Sequence, residues 1–165
     1  MSSPSVVRLA NADDFVEVWA LMRMSYAENA VFPLARRKAQ ECVKRALRYE
    51  HGAIGVIGSK EGVLEGLAFL CIGTFWYSEA PHLEEYMVYV QPDHRKSGHA
   101  KALLDWMEKQ VNETGLPLMT GVFSNSARNE AKCRLYSRKF PKLGEFFYLQ
   151  PKNSTMMPAL VASSS

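Results

Sequence analysis

Apolar residues recur at two different periods along the chain, and the change of period separates helices from strands. Between Asp13 and Asn29, and again between Ala39 and Leu47, apolar positions return every three or four residues, which predicts two consecutive amphipathic helices. From Gly52 onward the apolar runs are short and bounded by glycine or proline, which predicts strands.

The same two periods predict the remaining elements. Strands are expected at 5–9, 53–57, 63–77, 84–90, 117–123 and 144–149, and further helices at 98–114 and 128–139. Glycines inside the third strand predict a bulge there, and Lys60-Glu61-Gly62 predicts a hairpin turn before it. The three strands joined by short turns should be antiparallel, and the crossover through the third helix should join parallel strands. The sequence thus predicts one α/β domain with a mixed sheet.

Composition is that of an ordinary folded domain. The chain has 165 residues, 47% of them hydrophobic and 22% charged, with neither a repeat nor a linker, so one domain is expected over 1–165 with a frayed tail at 152–165. The three cysteines form no C-x-x-C pair, which is typical of reduced thiols. There is no leader pattern, and the longest apolar stretch, 66–77, is shorter than the roughly 20 residues of a membrane span. A cytoplasmic protein without a membrane partner is expected.

The junction between the strand at 84–90 and the following helix carries the main chemical signal. Arg95 and Lys96 lie in a polar turn that leads into the helix, and Gly98 and Ala100 leave room beside its first backbone amides. Those amides have no partner within the helix, and the helix dipole favours an anion beside them, so the turn is suited to a diphosphate. The alternative is that Arg95 and Lys96 only solvate a loop.

The segment Arg95-x-x-Gly98-x-Ala100, directly after Val88-x-Val90-x-Pro92, resembles the acyl-CoA signature of the GNAT superfamily of N-acyltransferases. The resemblance extends over the elements from about residue 6 to 149. It implies a mixed, mostly antiparallel sheet of six to seven strands flanked by about four helices. It also implies that acetyl-CoA is the acyl donor and an amine the acceptor.

The resemblance further implies which residues bind the donor. The strand before the turn would offer main-chain groups to the pantetheine arm and the acyl carbonyl, and the turn would hold the pyrophosphate. The donor-binding residues implied in this way are Val88, Tyr89, Val90, Arg95, Lys96, Ser97, Gly98, His99, Ala100 and Asn129. Alanine stands at the last glycine position of the signature, which the pattern tolerates.

Two kinds of proton-transfer group are needed, because the attacking amine must be neutral and the departing thiolate leaves more easily when protonated. Tyr136 follows Leu135 as the tyrosine of the family's Leu-Tyr pair does, which implies a role as the acid; alternatively its ring packs in the core. Glu84 resembles the catalytic glutamate of the protein-lysine branch. Glu85 would point to the opposite face unless the strand bulges. Alternatively, the two glutamates form a solvated edge or attract a cationic substrate.

No metal site is expected, because the four histidines show neither H-x-x-x-H nor H-E-x-x-H spacing. The acceptor stays open between a protein lysine or N-terminus, a polyamine and another small amine. The aromatic segment 75–77, with Glu79, is interpreted as a wall for a cationic amine or as core filling.

A second hypothesis rests on the basic residues between Arg36 and Arg48. In it, a GNAT-like domain binds nucleic acid or a protein partner, or acts on aminoacyl-tRNA. A homodimer is compatible with the sequence.

Overall fold

Five strands form a single mixed sheet in the computed structural model, which describes residues 6–58, 63–124 and 126–152. The strands are β1 (Arg8–Leu9), β2 (Gly52–Gly58), β3 (Leu64–Thr74), β4 (Pro81–Val90) and β5 (Leu118–Met119). They lie in sequence order, antiparallel except for the parallel pair of β4 and β5. The turn predicted at 60–62 and the tail beyond 152 lie outside the described residues.

Four helices accompany the sheet: α1 (Phe15–Asn29), α2 (Arg36–Leu47), α3 (His99–Thr114) and α4 (Asn129–Ser137). A short 3-10 turn precedes α1, and a capping box joins Asn11 to Asp14 at its start. Gly115 follows α3 in the left-handed region with φ of 69°, so the helix ends at Thr114, the predicted last residue. No helix in the described part of the chain is long and apolar enough to cross a membrane.

The two faces of the sheet carry separate cores. On the first, the α1/α2 face, side chains such as Leu21 and Val43 pack on Phe69 of β3. On the second, the α3 face, Leu103 and Met107 pack on the other side of the sheet, with Tyr136 of α4 at the margin. The predicted fold class is confirmed, since helices cover both faces of a mostly antiparallel sheet.

A bulge in β4 decides which of its side chains reach which face. Phe69 pairs with Met87 and Leu70 pairs with Glu85, so Tyr86 is an extra residue in β4. Val88 packs on the α3 face and Met87 on the α1/α2 face, while Tyr86 meets Phe69 on the α1/α2 face. Glu85 therefore shares the α3 face with Val88, and Glu84 points to the other face. The bulge predicted in the third strand is also present: β3 has one extra residue relative to β2, and this residue is next to a glycine.

β4 and β5 separate soon after they meet. They pair only at Leu83 with Leu118 and at Glu84 with Met119, although β4 continues to Val90. The chain from Thr120 onward therefore diverges from β4 and leaves a gap in the sheet.

The strand count is lower than the predicted six to seven. Residues 144–149 form no strand, and Phe146, Phe147 and Leu149 are exposed. Apolar and polar residues do not alternate along this segment, so a strand here would carry apolar residues on both of its faces. The segment pairs with no edge of the described sheet. The fifth strand is also shorter than the predicted 117–123, because the gap removes its partner. The third strand ends at Thr74 rather than at 77.

A substitution at Gly55 tests how tightly α3 packs on the sheet. A Cβ on Gly55 would lie 2.7 Å from ring atoms of Trp106, which covers this point of β2. We expect Gly55→Ala to lower the free energy of unfolding by about 1–3 kcal/mol, because the indole must move out of a packed core. Urea denaturation followed by circular dichroism measures this loss. Gly144→Ala is the control, since nothing lies within 4 Å of its Cβ position; an equal loss in both variants would contradict the packing account.

Candidate active site

The turn after β4 presents the start of α3 to solvent. A 3-10 turn, Pro92–His94, follows β4, and the Ser97 N–H donates to the His94 carbonyl at 3.2 Å. Gly98 then adopts φ of 84°, with nothing within 4 Å of where its Cβ would be. The first amides of α3, from His99 and Ala100 onward, have no acceptor within the helix. An anion can therefore reach them across an open glycine.

The side chain of Arg95 does not face that opening, contrary to the interpretation of two cationic side chains beside a phosphate. Its Nε donates to the Val90 carbonyl at 3.0 Å, its guanidinium pairs with Glu28 of α1, and it lies 5.6 Å from the centre of the Tyr89 ring. Arg95 thus fastens the turn to α1, and Lys96 is the solvent-exposed cation of the two. The Tyr89 ring is buried in the α1/α2 core.

Under the turn, Glu65 joins two histidines. The Glu65 carboxylate hydrogen-bonds Nε2 of the buried His99 and lies 3.5 Å from Nδ1 of His94. The histidine spacing predicted no metal site, yet ligand atoms of these three residues come within 4.8 Å of one another. The contacts tie the start of α3 to β3.

One edge of β4 offers unpaired main-chain groups to the gap. The Gln91 N–H donates to the Glu65 carbonyl at 2.8 Å on the β3 side, so the main-chain groups of Val88 and Val90 point to the opposite edge. The Val90 carbonyl already accepts the hydrogen bond from Arg95. The N–H and C=O of Val88 are directed into the gap.

Asn129, at the start of α4, carries an acceptor in need of a donor. Its Nδ2 donates to the Ser124 carbonyl at 2.6 Å, which fixes the amide, while its Oδ1 is buried and has no hydrogen-bond partner among the residues that the structure describes. A buried acceptor without a donor is costly, so a ligand amide N–H would fit this position.

Glu85 and Tyr136 form a hydrogen-bonded pair at the gap. The Tyr136 hydroxyl donates to both Glu85 oxygens, each at 2.9 Å, and Thr120 also donates to the carboxylate. Burial raises the pKa of Glu85 to about 7, although these hydrogen bonds act in the opposite direction. Burial, with Glu85 beside it, raises the pKa of Tyr136 well above its usual 10. Near neutral pH, Glu85 can accept a proton and Tyr136 retains its own.

The Glu84 side chain lies on the opposite face of the sheet from Glu85. Its Oε1 is 2.8 Å from Nε2 of His82, and its carboxylate lies against Gly73 of β3. The bulge therefore brings Glu85 rather than Glu84 to Tyr136.

A cavity of about 690 Å³ lies between the end of α1, the start of α2 and β4. Its lining includes Phe69 and Met87 from the α1/α2 face, and it reaches Glu85, Val88 and Tyr136 at the gap between β4 and β5. Segment 75–77 does not line it. That segment is exposed beyond the end of β3 and does not form the predicted wall.

Two residues near Glu85 were not predicted from the sequence: Thr120, which hydrogen-bonds its carboxylate, and Lys132, which lines the cavity. Lys132 donates to Asn29 Oδ1 at 2.6 Å, and burial lowers its pKa. Lys132 precedes Tyr136 by four residues, and this helical spacing places both on one side of α4. The contact of Thr120 arises only from the approach of β5 to β4, which has no local sequence signal.

The sequence model described as the acetyltransferase (GNAT) family matches residues 17–140. The chain belongs to this family. The match confirms the family and the enzyme class predicted from the turn at Gly98. A comparison with curated proteins finds no match.

Solved structures with the same fold include other GNAT enzymes. AAC(6')-Iy, in complex with the bisubstrate analogue CoA-S-monomethyl-acetylneamine, is 17% identical with a TM-score of 0.68, over 91% of this chain and 99% of that one. The ribosomal-protein-alanine N-acetyltransferase from Brucella melitensis biovar Abortus 2308 is 18% identical with a TM-score of 0.64, over 89% and 98%. A predicted acetyltransferase from Clostridium acetobutylicum, with acetyl-CoA, is 13% identical with a TM-score of 0.69, over 88% and 96%.

The raised pKa of Glu85 predicts a pH-dependent stability. A carboxyl with a pKa of about 7 when folded, against an ordinary 4.5, stabilises the fold fully below pH 4.5 and loses that contribution as pH rises through 7. From pH 5.5 to 8.5 the protein should lose about 2 kcal/mol that Glu85→Gln does not lose. Thermal unfolding at the two pH values measures the difference. Glu130→Gln, exposed on α4, is the control and should behave as the unmodified protein does.

Proposed function

We propose that this protein transfers an acetyl group from acetyl-CoA to a primary amine by direct attack within a ternary complex. The observation that carries the proposal is the Glu85–Tyr136 pair, which lies at the gap between β4 and β5 beside unpaired main-chain groups of β4. An enzyme of this kind needs an acid–base pair and a donor site at the same point, and the gap provides both.

The donor is held at three points along the gap. The amides at Gly98 to Ala100 hold the pyrophosphate of CoA, and the exposed ammonium group of Lys96 lies nearby. Asn129 Oδ1 accepts an amide N–H of the pantetheine arm, which satisfies its buried lone pairs. The Val88 N–H donates to the thioester carbonyl and stabilises the negative charge that develops on its oxygen. The bound CoA and acetyl-CoA in structures of the same fold support this choice of donor.

Proton transfer follows the existing hydrogen bonds. Glu85 takes a proton from the amine as nitrogen attacks the carbonyl carbon, and the carbon–sulfur bond breaks as the tetrahedral intermediate collapses. Tyr136 gives its proton to the departing sulfur. A thiol has a pKa near 8.5, below that of Tyr136, so Tyr136 can donate only while Glu85 returns the proton it holds. The pair thus moves one proton from nitrogen to sulfur.

The basic surface of α2 does not support the second hypothesis. Arg45 and Arg48 both pair with Glu50, and Lys44 pairs with Glu41, so part of its positive charge is neutralised locally. We therefore do not propose nucleic-acid or aminoacyl-tRNA binding.

Gly98 and Gly115 form a matched pair that tests the donor site. They lie at opposite ends of α3, both have positive φ, and both have open space at the Cβ position. Alanine in this backbone region costs about 1–2 kcal/mol, so both variants should be less stable. Only Gly98→Ala should weaken acetyl-CoA binding, by about fivefold or more, measured by isothermal titration calorimetry with ATP as the control ligand. Failure of the unmodified protein to bind acetyl-CoA, or equal affinities in both variants, would refute the donor site.

The acid–base pair predicts the pH dependence of turnover. Because Glu85 acts as a base with a pKa of about 7, kcat should rise with pH and level off above about 8. Glu85→Gln should lower kcat and abolish that rise, and Tyr136→Phe should lower kcat by about a hundredfold or more at unchanged acetyl-CoA affinity. Tyr77→Phe, exposed outside the cavity, should match the unmodified enzyme. Full turnover in Tyr136→Phe would remove Tyr136 from the mechanism.

A further inference from the structure

The cavity lies apart from the amides proposed to hold the pyrophosphate. Its lining comes mainly from the end of α1, the connection 30–35 and the start of α2, on the α1/α2 side of the sheet, and contains no residue of α3. An amine that reaches Glu85 without displacing the donor must enter through this part of the cavity, which we call the acceptor chamber.

Aromatic rings line the acceptor chamber. Phe69 packs against Tyr86, with ring centres 5.3 Å apart; Phe69 is buried, whereas Tyr86, the neighbour of Glu85 in β4, is 54% exposed. At the mouth, Phe32 stacks on Phe123 with ring centres 6.2 Å apart, and these side chains are 56% and 50% exposed. Exposed stacked rings at a cavity mouth provide apolar surface for a ligand to cover.

The charges of the cavity disfavour an acceptor with several positive groups. Among the described residues, its lining contains one carboxylate, Glu85, and two ammonium groups, Lys38 and Lys132. Glu28 lies close by but is paired with Arg95 and does not line the cavity. A polyamine or aminoglycoside would place its additional ammonium groups among aromatic rings and lysines, without carboxylates to compensate them.

We infer that the acceptor is a monoamine with an aromatic or other apolar body, bound with its ring in the acceptor chamber and its nitrogen at Glu85. The inference rests on the proposed function and adds the substrate class. The rings of Phe32, Phe69 and Tyr86 contact the body of the amine and exclude water from it, and Glu85 is the one carboxylate that meets the nitrogen. Phe32 acts as a specificity-determining residue at the mouth.

The test compares four primary amines with acetyl-CoA as donor: 2-phenylethylamine, ethanolamine, spermidine and kanamycin. CoA release and product mass are measured for each, and acetyl-CoA affinity is measured in parallel by calorimetry. We expect kcat/KM for 2-phenylethylamine to exceed that of each of the other three by about tenfold or more, the discrimination that an apolar pocket commonly provides.

Two variants and a control locate the preference in the chamber. Phe32→Ala should lower kcat/KM for 2-phenylethylamine by about threefold to tenfold, while leaving ethanolamine turnover and acetyl-CoA affinity unchanged. Lys38→Glu should raise the rate with spermidine relative to 2-phenylethylamine, because it replaces a repelling charge by an attracting one. Trp76→Ala, which removes an exposed aromatic ring outside the cavity, should change neither ratio.

The outcomes separate this inference from the proposed function. If acetyl-CoA binds and spermidine, kanamycin or ethanolamine reacts as well as 2-phenylethylamine, the substrate class is wrong and the transferase proposal stands. If acetyl-CoA binds and 2-phenylethylamine does not react, the inference is likewise overturned. If acetyl-CoA does not bind, the proposed function itself fails. The expected order of amines, lost in Phe32→Ala and kept in Trp76→Ala, supports the inference.

Discussion

A strand presents alternate side chains to opposite faces of a sheet, and β4 carries two adjacent glutamates where it parts from β5. Without an extra residue, Glu84 would share a face with Val88 and Val90. The bulge at Tyr86 reverses that parity, so that Glu85 meets Tyr136 and Glu84 turns to His82. A single inserted residue therefore selects the carboxylate of the site, and it also aims Tyr86 at the chamber on the other side.

The site also carries an energetic cost. Glu85 is removed from water beside Tyr136, which raises its pKa, and Asn129 Oδ1 is left without a donor. Unsatisfied or desolvated polar groups in a fold are commonly retained where a ligand or a reaction uses them. Other parts of the molecule compensate, since α3 packs Leu103 and Met107 firmly against the sheet.

Local signals in the sequence were sufficient to predict α3 and the turn that precedes it. Gly98 and Gly115 mark the ends of the helix, and the preceding strand and the signature at Arg95 predicted the family. The direction of the Arg95 side chain was not predictable, because its partner Glu28 lies 67 residues away in the chain. The bulge at Tyr86 likewise depends on pairing with β3. Segment 144–149 has strand-forming residues, but propensity alone does not supply a partner edge.

The position of the cavity has a kinetic consequence for the proposed reaction. Because the cavity is lined mainly by α1, the connection 30–35 and the start of α2, an amine bound in it leaves the amides at the start of α3 uncovered. The proposed donor and acceptor can then bind in either order, and CoA should compete with acetyl-CoA without competing with the amine. An enzyme in which both substrates share one entrance would instead impose a sequence on their arrival.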